Sequence, residues 1–484
     1  MAGPLEQAGV VAYLSGLAGG APVETHISCV FRGVDTVWKL KKAVRLGFLD
    51  FSEVADRRRF LLRELALNGD AAPGLYRDVV AVTRAGEGFA LGGVGEVVDW
   101  VLRMARVPEG DFLDERVVGG SVDAGLLDGM ADAVVALHGG QVPAPTGVSE
   151  AGRLLRVLEG NAAAAVAAGL DGDAVAGWRL DALALLGRLG AAIEARAPLV
   201  RRCHGDLHLG NMLVWRGVVA AFDALEFDEG LATIDPGYDL AFLLMDLDVR
   251  LSRGAANAVL NRYVARTGDA GLLGVLPLFL SLRAVVRAHV AASQGQDGGG
   301  LLRAARGYLL PSRAVVVAVG GLQGTGKSTL ARALAPGLGV APGAVILRSD
   351  EVRKRLAGVG LEERLAGAAY TDEARRRTEA AMLEAMRIAV DGGHSVVLDA
   401  TFLDPAARAA FRAAAGAPFL GVWLEGDMAV LEARVTARRG DASDATVAVL
   451  RAAAAGVRAP SDWLVLDAAA GGHEQTVQAA AAML

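Results

Sequence analysis

Residues 314–329 read AVVVAVGGLQGTGKST. The first six are apolar, mostly β-branched and followed by glycines, so 314–319 reads as a short buried parallel strand. Residues 321–328, GLQGTGKS, fit the pattern G-x-x-x-x-G-K-[ST]. Glycines at 321, 324 and 326 let successive backbone N–H groups turn inward around phosphates. Gly321, Gly324, Thr325, Gly326 and Thr329 are the candidate nucleotide-binding positions of this turn. Lys327 brings a charge to the β- and γ-phosphates, and the Ser328 hydroxyl suits Mg²⁺. A helix expected from Ser328 aims its positive end at the same anion.

Outward from this loop the alternation continues. Strands are expected at 345–347, 396–398 and 419–424, with a long helix over about 371–390. Strand and helix in turn predict a doubly wound α/β domain on a parallel sheet. Asp350 lies beyond the 345–347 strand, where a carboxylate at a strand's C-terminal end faces the substrate crevice. It is the candidate base for an attacking hydroxyl, and it is also placed to cap the following helix. Arg353, one helical turn on, is the candidate for a substrate anion. Asp399 ends an apolar strand, as a metal-binding carboxylate does in nucleoside-triphosphate enzymes. Arg434 and Arg438 stand at i, i+4 with Arg439 beside them. They are either a solvated helix face or a lid over the nucleotide.

Residues 312–466 resemble the small P-loop kinases that include chloramphenicol phosphotransferase, zeta toxin and the 5′-hydroxyl kinase domain of polynucleotide kinases. The likeness rests on GLQGTGKST, on RSDEVR at 348–353, on LDATF at 398–402 and on the Arg-rich stretch before GDASDA. It implies that Asp350 is a general base and that Lys327 and Ser328 bind ATP and Mg²⁺.

The preceding residues read differently. Strand-like pieces fall at 26–31 and 37–40, with a hairpin expected about 92–95. A helix over 52–68 has Ser52 as its expected N-cap. From 121 on the pattern is mostly helical. A β-rich lobe of about 1–105 and a helical lobe of about 106–300 outline an α+β, protein-kinase-like domain, leaving 301–484 to the P-loop domain. The stretch QGQDGGG at 294–300 reads as the linker, and both halves are expected to fold independently.

Residues 204–211, HGDLHLGN, have the spacing H-x-D-x-x-x-x-N of a kinase catalytic loop, with Gly after the His. In that chemistry Asp206 takes the acceptor's proton and Asn211 ligates Mg²⁺. Asp223, after the apolar run 218–221, is the second metal-binding candidate. Asp239, at the head of an apolar helix, reads as a brace for the loop. Lys39 stands on a strand where a kinase holds the α- and β-phosphates, and Glu64 is its expected ion-pair partner. Lys41 shares Lys39's strand face and stays open as an alternative. No glycine-rich G-x-G-x-x-G precedes Lys39. ETHISCVFRG stands there instead, so His26, Ser28 or backbone N–H groups are left to cover the phosphates. His208 reads as structural.

On HGDLHLGN above all, and on ETHISCVF, VWKLKK, GFLDFS and ELALN, residues 20–290 resemble the aminoglycoside phosphotransferase family. The whole is similar to a bifunctional aminoglycoside phosphotransferase-like/P-loop ATP-binding protein. The resemblance implies phosphorylation of hydroxyl groups and leaves the acceptor open.

Composition sets the outer limits. With 484 residues, 53 % hydrophobic and 21 % charged, the chain can bury large cores. Two distant cysteines are no disulfide framework, and a cytoplasmic location is expected. The start of the chain has no signal-peptide pattern. The longest uncharged apolar run, 270–282, is short for a membrane span and contains Pro277. A net charge of -6 argues against a dedicated polyanion surface. The expectation is therefore two ATP (or GTP) and Mg²⁺ sites serving a small-molecule hydroxyl acceptor. A nucleic-acid 5′-hydroxyl is the disfavoured alternative, and a third reading makes one domain a nucleotide-sensing regulator of the other. The oligomeric state is left open.

Overall fold

The computed structural model describes residues 4–46, 49–144, 147–365, 370–438 and 442–467, with side chains from residue 7 on. These fall into two compact units, 1–146 with 198–243, and 147–197 with 244–484. Compactness thus divides the chain differently from the sequence reading, which placed one boundary at residue 300.

In the first unit a six-stranded antiparallel sheet runs in the order 23–24, 28–32, 36–41, 97–105, 76–85, 88–91. Helix Pro4–Ala18 covers one side, packing Val10 and Leu14 on Phe31, Leu40 and Val101. Helix Val54–Asn68 packs Leu61 against Tyr76 and Leu102. The expected N-cap Ser52 does not cap it. Glu53 holds that position without a side-chain bond, while the Ser52 hydroxyl donates to Asp50 Oδ1 at 2.5 Å. The expected hairpin at 92–95 is also displaced. Strands Tyr76–Ala85 and Gly88–Leu91 turn at Gly86, whose φ is +60°. Residues 92–96 then cross the end of Tyr76–Ala85 to enter Val97–Ala105, which pairs with its other edge. Gly95 permits that crossing, since a Cβ there would lie 2.4 Å from the Arg84 carbonyl oxygen. A separate hairpin, Met212–Trp215 with Val218–Ala221, carries Asn211 at its entrance and Asp223 beyond its exit.

The second unit contains a five-stranded, wholly parallel sheet in the order 345–348, 396–399, 316–321, 419–425, 464–467. The P-loop strand Val316–Gly321 is central and buried throughout, as its uninterrupted apolar run requires. Val317 and Val319 pack against Leu330 and Leu334 of the following helix. The expected strands and the 371–390 helix are present within two residues of the sequence reading.

Helices 150–167, 172–194, 253–267, 272–293 and 299–308 complete this unit. Leu272–Ser293 is long and apolar enough to cross a membrane by length and composition, yet 61 % of its most apolar window is buried in the protein. It is a core helix. Ser281, fully buried on it, accepts from Trp178 Nε1 (2.9 Å) and donates to the Ala305 carbonyl (2.7 Å). The glycines at 294–300 do not form an open linker. Helix Gly299–Tyr308 folds back on Leu272–Ser293, and Tyr308 donates to Asp248 Oδ2 at 2.6 Å. Gly298 makes the turn possible, because a Cβ there would meet the Ala288 carbonyl oxygen at 2.3 Å. Residue 300 therefore lies inside a helix, and the exposed connector to the P-loop strand is 310–313.

Candidate active sites

In the first unit Lys39 and Lys41 project from one face of strand Thr36–Lys41 toward Glu64. Lys39 Nζ donates to Glu64 Oε1 and to Asp223 Oδ1, both at 2.6 Å. Lys41 Nζ donates to Glu64 Oε2 at 2.7 Å and to Glu226. The strand parity that left Lys41 open thus reflects a real arrangement: both lysines share one glutamate, and Lys39 alone of the two also contacts Asp223. Burial pushes the Asp223 carboxyl up, but the Lys39 ammonium outweighs it and holds the group below the ordinary carboxylate range. Burial pushes Lys39 down, and Asp223 with Glu64 more than reverses this.

The loop 204–211 brings Asp206 and Asn211 together. Asn211 Nδ2 donates to the Asp206 carbonyl (2.8 Å) and to Asp206 Oδ2 (3.0 Å). Asp239, with no exposed surface, accepts from the backbone N–H groups of His204 (3.0 Å) and Gly205 (2.9 Å), so it braces the loop. His138 Nε2 lies 3.2 Å from the same carboxylate. Gly205 has φ +87°, and a Cβ there would press within 3.1 Å of Leu225 Cβ, which accounts for Gly after His204. His208 Nδ1 accepts from the Gly210 N–H, its Nε2 lies 3.5 Å from Asp206 Oδ2, and its ring packs edge-on against Phe242. Burial lowers the pKa of His204, whose Nε2 lies 2.9 Å from the Phe222 carbonyl oxygen.

Three residues here, Glu226, Tyr76 and Asn68, were not evident from sequence. Asp223 is in the left-handed region, φ +61°, a conformation costly for a non-glycine residue. Tyr76 Oη accepts its N–H at 2.9 Å, and Asn68 Oδ1 accepts the N–H of Ala224 at 3.0 Å. Both pins are far away in the chain: Tyr76 is 147 residues from Asp223, and Asn68 is 156 residues from Ala224. Where a glycine-rich loop is absent, Thr25 Oγ1 instead accepts the Ser28 N–H (2.9 Å). Ser28 is buried and His26 exposed. A carboxylate at 223 and an amide oxygen at 211 are hard oxygen donors of the kind Mg²⁺ takes, so this donor set fits the ion.

In the second unit the P-loop has its expected form. Gly321, Gly324 and Gly326 have φ of +134°, +86° and +89°. A Cβ on Gly321 would sit 2.4 Å from the Leu424 carbonyl oxygen. Gly321 and Thr325 support the loop from behind; Thr325 Oγ1 donates to the Leu322 carbonyl at 2.8 Å. The helix begins at Lys327, one residue before the expected start.

A cavity of about 650 Å³ gathers the other candidates, among them Lys327, Ser328, Thr329, Asp350, Arg353, Asp399, Arg434 and Arg438. Ser328 Oγ donates to Asp399 Oδ2 at 2.6 Å. Arg353 donates to Asp350 Oδ1 at 2.7 Å. Asp350 is not the helix cap: helix Ser349–Leu356 has Arg348 at that position, and Asp350 sits in its first turn. Arg434 donates to the Gly324 carbonyl (3.3 Å), so Arg434 and Arg438 face the cavity rather than forming a solvated face. Arg439 lies outside the described residues. Sequence reading missed Tyr370 and Asp444 at the cavity wall. Tyr370 donates to Asp444 Oδ2 at 2.9 Å, and the Arg353 guanidinium lies over its ring.

Lys327 tests whether a nucleotide fits. Its Nζ donates to the Leu322 carbonyl at 2.8 Å. Among the described residues no carboxylate lies at ion-pair distance from it. Burial brings its pKa down to about 8, against the pull of Asp399 and Asp350. A partly buried ammonium at the mouth of a ring of inward N–H groups fits a phosphate as its missing counter-charge.

The profile of the phosphotransferase enzyme family matches residues 89–273, and that of an AAA domain matches residues 316–460. Lys39 and Glu64 lie outside the first match. Uncharacterised proteins of Mycobacterium tuberculosis and Mycobacterium bovis are each 29 % identical over 464 residues, covering 91 % of this chain and 90 % of theirs. Among solved structures, a gluconokinase from Sinorhizobium meliloti is similar to 36 % of this chain over 92 % of its own, at 22 % identity and TM-score 0.26. A choline/ethanolamine kinase family protein from Mesorhizobium loti is similar to 63 % of this chain over 93 % of its own, at 14 % identity and TM-score 0.40. The chain therefore joins a protein-kinase-like domain of the phosphotransferase enzyme family to a P-loop kinase domain.

Proposed function

We propose that this protein moves the γ-phosphoryl group of ATP (or GTP) to hydroxyl groups of small molecules, with a separate nucleotide site in each domain. The observation that carries the reading is the C-terminal cavity, whose wall brings together Lys327, the Ser328–Asp399 pair and the Asp350–Arg353 pair. A bound nucleotide supplies the phosphoryl group, and Mg²⁺ spreads its charge. The chain does the rest by placement. P-loop N–H groups and Lys327 hold phosphate oxygens, Ser328 and Asp399 would hold the ion, and Arg434 and Arg438 close the nucleotide side. Asp350 takes the acceptor's proton, its carboxylate held by Arg353 at 2.7 Å. In the first domain Lys39 holds phosphate, Asn211 and Asp223 would hold the ion, and Asp206 takes the proton. A cytoplasmic location suits the two unpaired, buried cysteines.

The test is an acceptor screen on the full chain with γ-labelled ATP or GTP and Mg²⁺. It is run in parallel on Asp206→Asn and Lys327→Ala. Each variant should lose one set of labelled products and keep the other. Nucleotide binding without transfer to any hydroxyl compound would overturn the reading. One observation favours a second reading, in which the first domain senses nucleotide and regulates the other: Lys39 is engaged by Asp223, and no glycine-rich loop precedes it. Under that reading Asp206→Asn changes no product, whereas Asp223→Ala alters the rate of the P-loop domain.

A further inference from the structure

Among the described residues strand Val345–Arg348 is the edge of the parallel sheet and pairs with only one strand, Val396–Asp399. Its outer peptide groups would otherwise be an unpaired template. Two of the groups at this edge are not left so. Ile346 N–H donates to Asn261 Oδ1 at 2.6 Å. The Ala344 carbonyl accepts from Asn257 Nδ2 at 3.0 Å and from Asn261 Nδ2 at 3.3 Å. The Asn261 amide thus accepts and donates as the peptide group of a neighbouring strand would. Both asparagines stand on helix Arg253–Thr267, within the stretch that matches the phosphotransferase family.

The same helix grips the chain beyond the strand. Arg355, on helix Ser349–Leu356, donates to the Ala265 carbonyl at 3.0 Å. Arg262 and Arg266 reach Glu362 at 2.9 and 3.0 Å. Edge strand, helix and succeeding loop are therefore all fastened to one element, and Asp350 lies between the first fastening and the second. A slip of one residue along an edge strand would turn every side chain to the other face. Fixing Ile346 fixes the register Arg348↔Asp399, and hence where the chain enters the turn bearing Asp350.

We propose that Asn261, supported by Asn257, is a positioning residue of the P-loop site: by standing in for a sheet neighbour it holds the strand that delivers Asp350, while the nucleotide side rests on a different strand. This rests on the reading of that site as a phosphotransferase, with Asp350 as its base.

The test uses the full chain carrying Asp223→Ala, so that nucleotide is bound at the P-loop site, with and without Asn261→Leu. Backbone amide exchange, MgATP binding and steady-state ATP turnover with water as acceptor are measured. With Asn261→Leu, amides of 346–350 should exchange about tenfold faster or more. The number of MgATP sites and their affinity should stay within twofold, and turnover per occupied site should fall at least about tenfold. A merely structural loss would instead reduce the number of binding sites and leave turnover per site unchanged. Should Asn261→Leu fail to fold, Asn257→Ala removes one bond to Ala344 and should show the same pattern more weakly. Unchanged exchange at 346–350, or faster exchange with unchanged turnover per site, overturns the proposal. A parent chain that binds MgATP and shows no turnover, in water or with any acceptor, instead overturns the phosphotransferase reading and the proposal with it.

Discussion

At Lys327 a partly buried ammonium has a carbonyl as its hydrogen-bond acceptor, and desolvation brings its pKa to about 8. The folded value lies below the ordinary lysine value, so the free protein loses this charge as pH rises through 8. Phosphate binding needs the charge. Nucleotide affinity at the P-loop site should therefore be flat below pH 7.5 and fall by up to about tenfold per pH unit above 8, with proton uptake on binding. Calorimetric titration in buffers of different ionisation enthalpy reads both quantities, and an affinity that is constant from pH 7 to 9.5 would contradict this. Asp350 makes a second residue-level prediction. Asp350→Asn should keep MgATP binding, because the loop and Ser328 remain, and should lower transfer about 10²–10⁴-fold, the usual share of a general base. Full transfer by this variant would move the role elsewhere, with Asp399 next in line. Lys327, Ser328, Asp206 and Asn211 were legible in sequence because each lies in a short contiguous stretch whose spacing is dictated by phosphate or metal geometry. Tyr76, Asn68 and Glu226 were not, since each gains its role from a partner far along the chain. No local spacing records such a meeting.

Elements show the same division. The parallel strands were readable because a strand buried on both faces must be apolar throughout, as Val316–Gly321 is. The glycines at 92–95 and 294–300 suggest a hairpin and a linker because composition signals only that backbone freedom is needed. At Gly95 and Gly298 the freedom serves close passage beside a carbonyl. One such approach can be tested directly. Gly392, at the end of helix Asp372–Asp391, nearly touches Gly274 on helix Leu272–Ser293, and a Cβ on it would lie 2.6 Å from the Gly274 Cα. Both sides of this contact are backbone and cannot rotate away. Gly392→Ala should destabilise the chain by about 1–3 kcal/mol, the usual cost of overpacking; denaturant unfolding with no loss of stability would refute the contact. The strained entry to Asp223 gives another test. Tyr76→Phe removes the acceptor of its N–H and should cost about 1–3 kcal/mol, with weaker Mg²⁺-dependent nucleotide binding in the first domain. Binding equal to that of the unmodified chain would show that Asn68 alone suffices.

At the scale of the whole molecule the two kinase domains were legible as families but not as physical pieces. The motifs divide the sequence near residue 300, yet helix Arg253–Thr267 and strand Val345–Arg348 belong to one compact unit. Limited proteolysis should cut the exposed connector 310–313, and the two fragments should then co-elute under native conditions, held by the asparagine and arginine contacts. Separation into two soluble species would show that those contacts are weaker than drawn. The asparagine closure of the sheet edge also bears on inheritance. A P-loop domain excised by recombination would enter its new host with a raw strand edge, inviting pairing with copies of itself. Fission of the gene would expose the P-loop product to the same hazard until the two met again. Keeping this closure thus favours transmitting the two domains as one reading frame, whatever selection later asks of either activity.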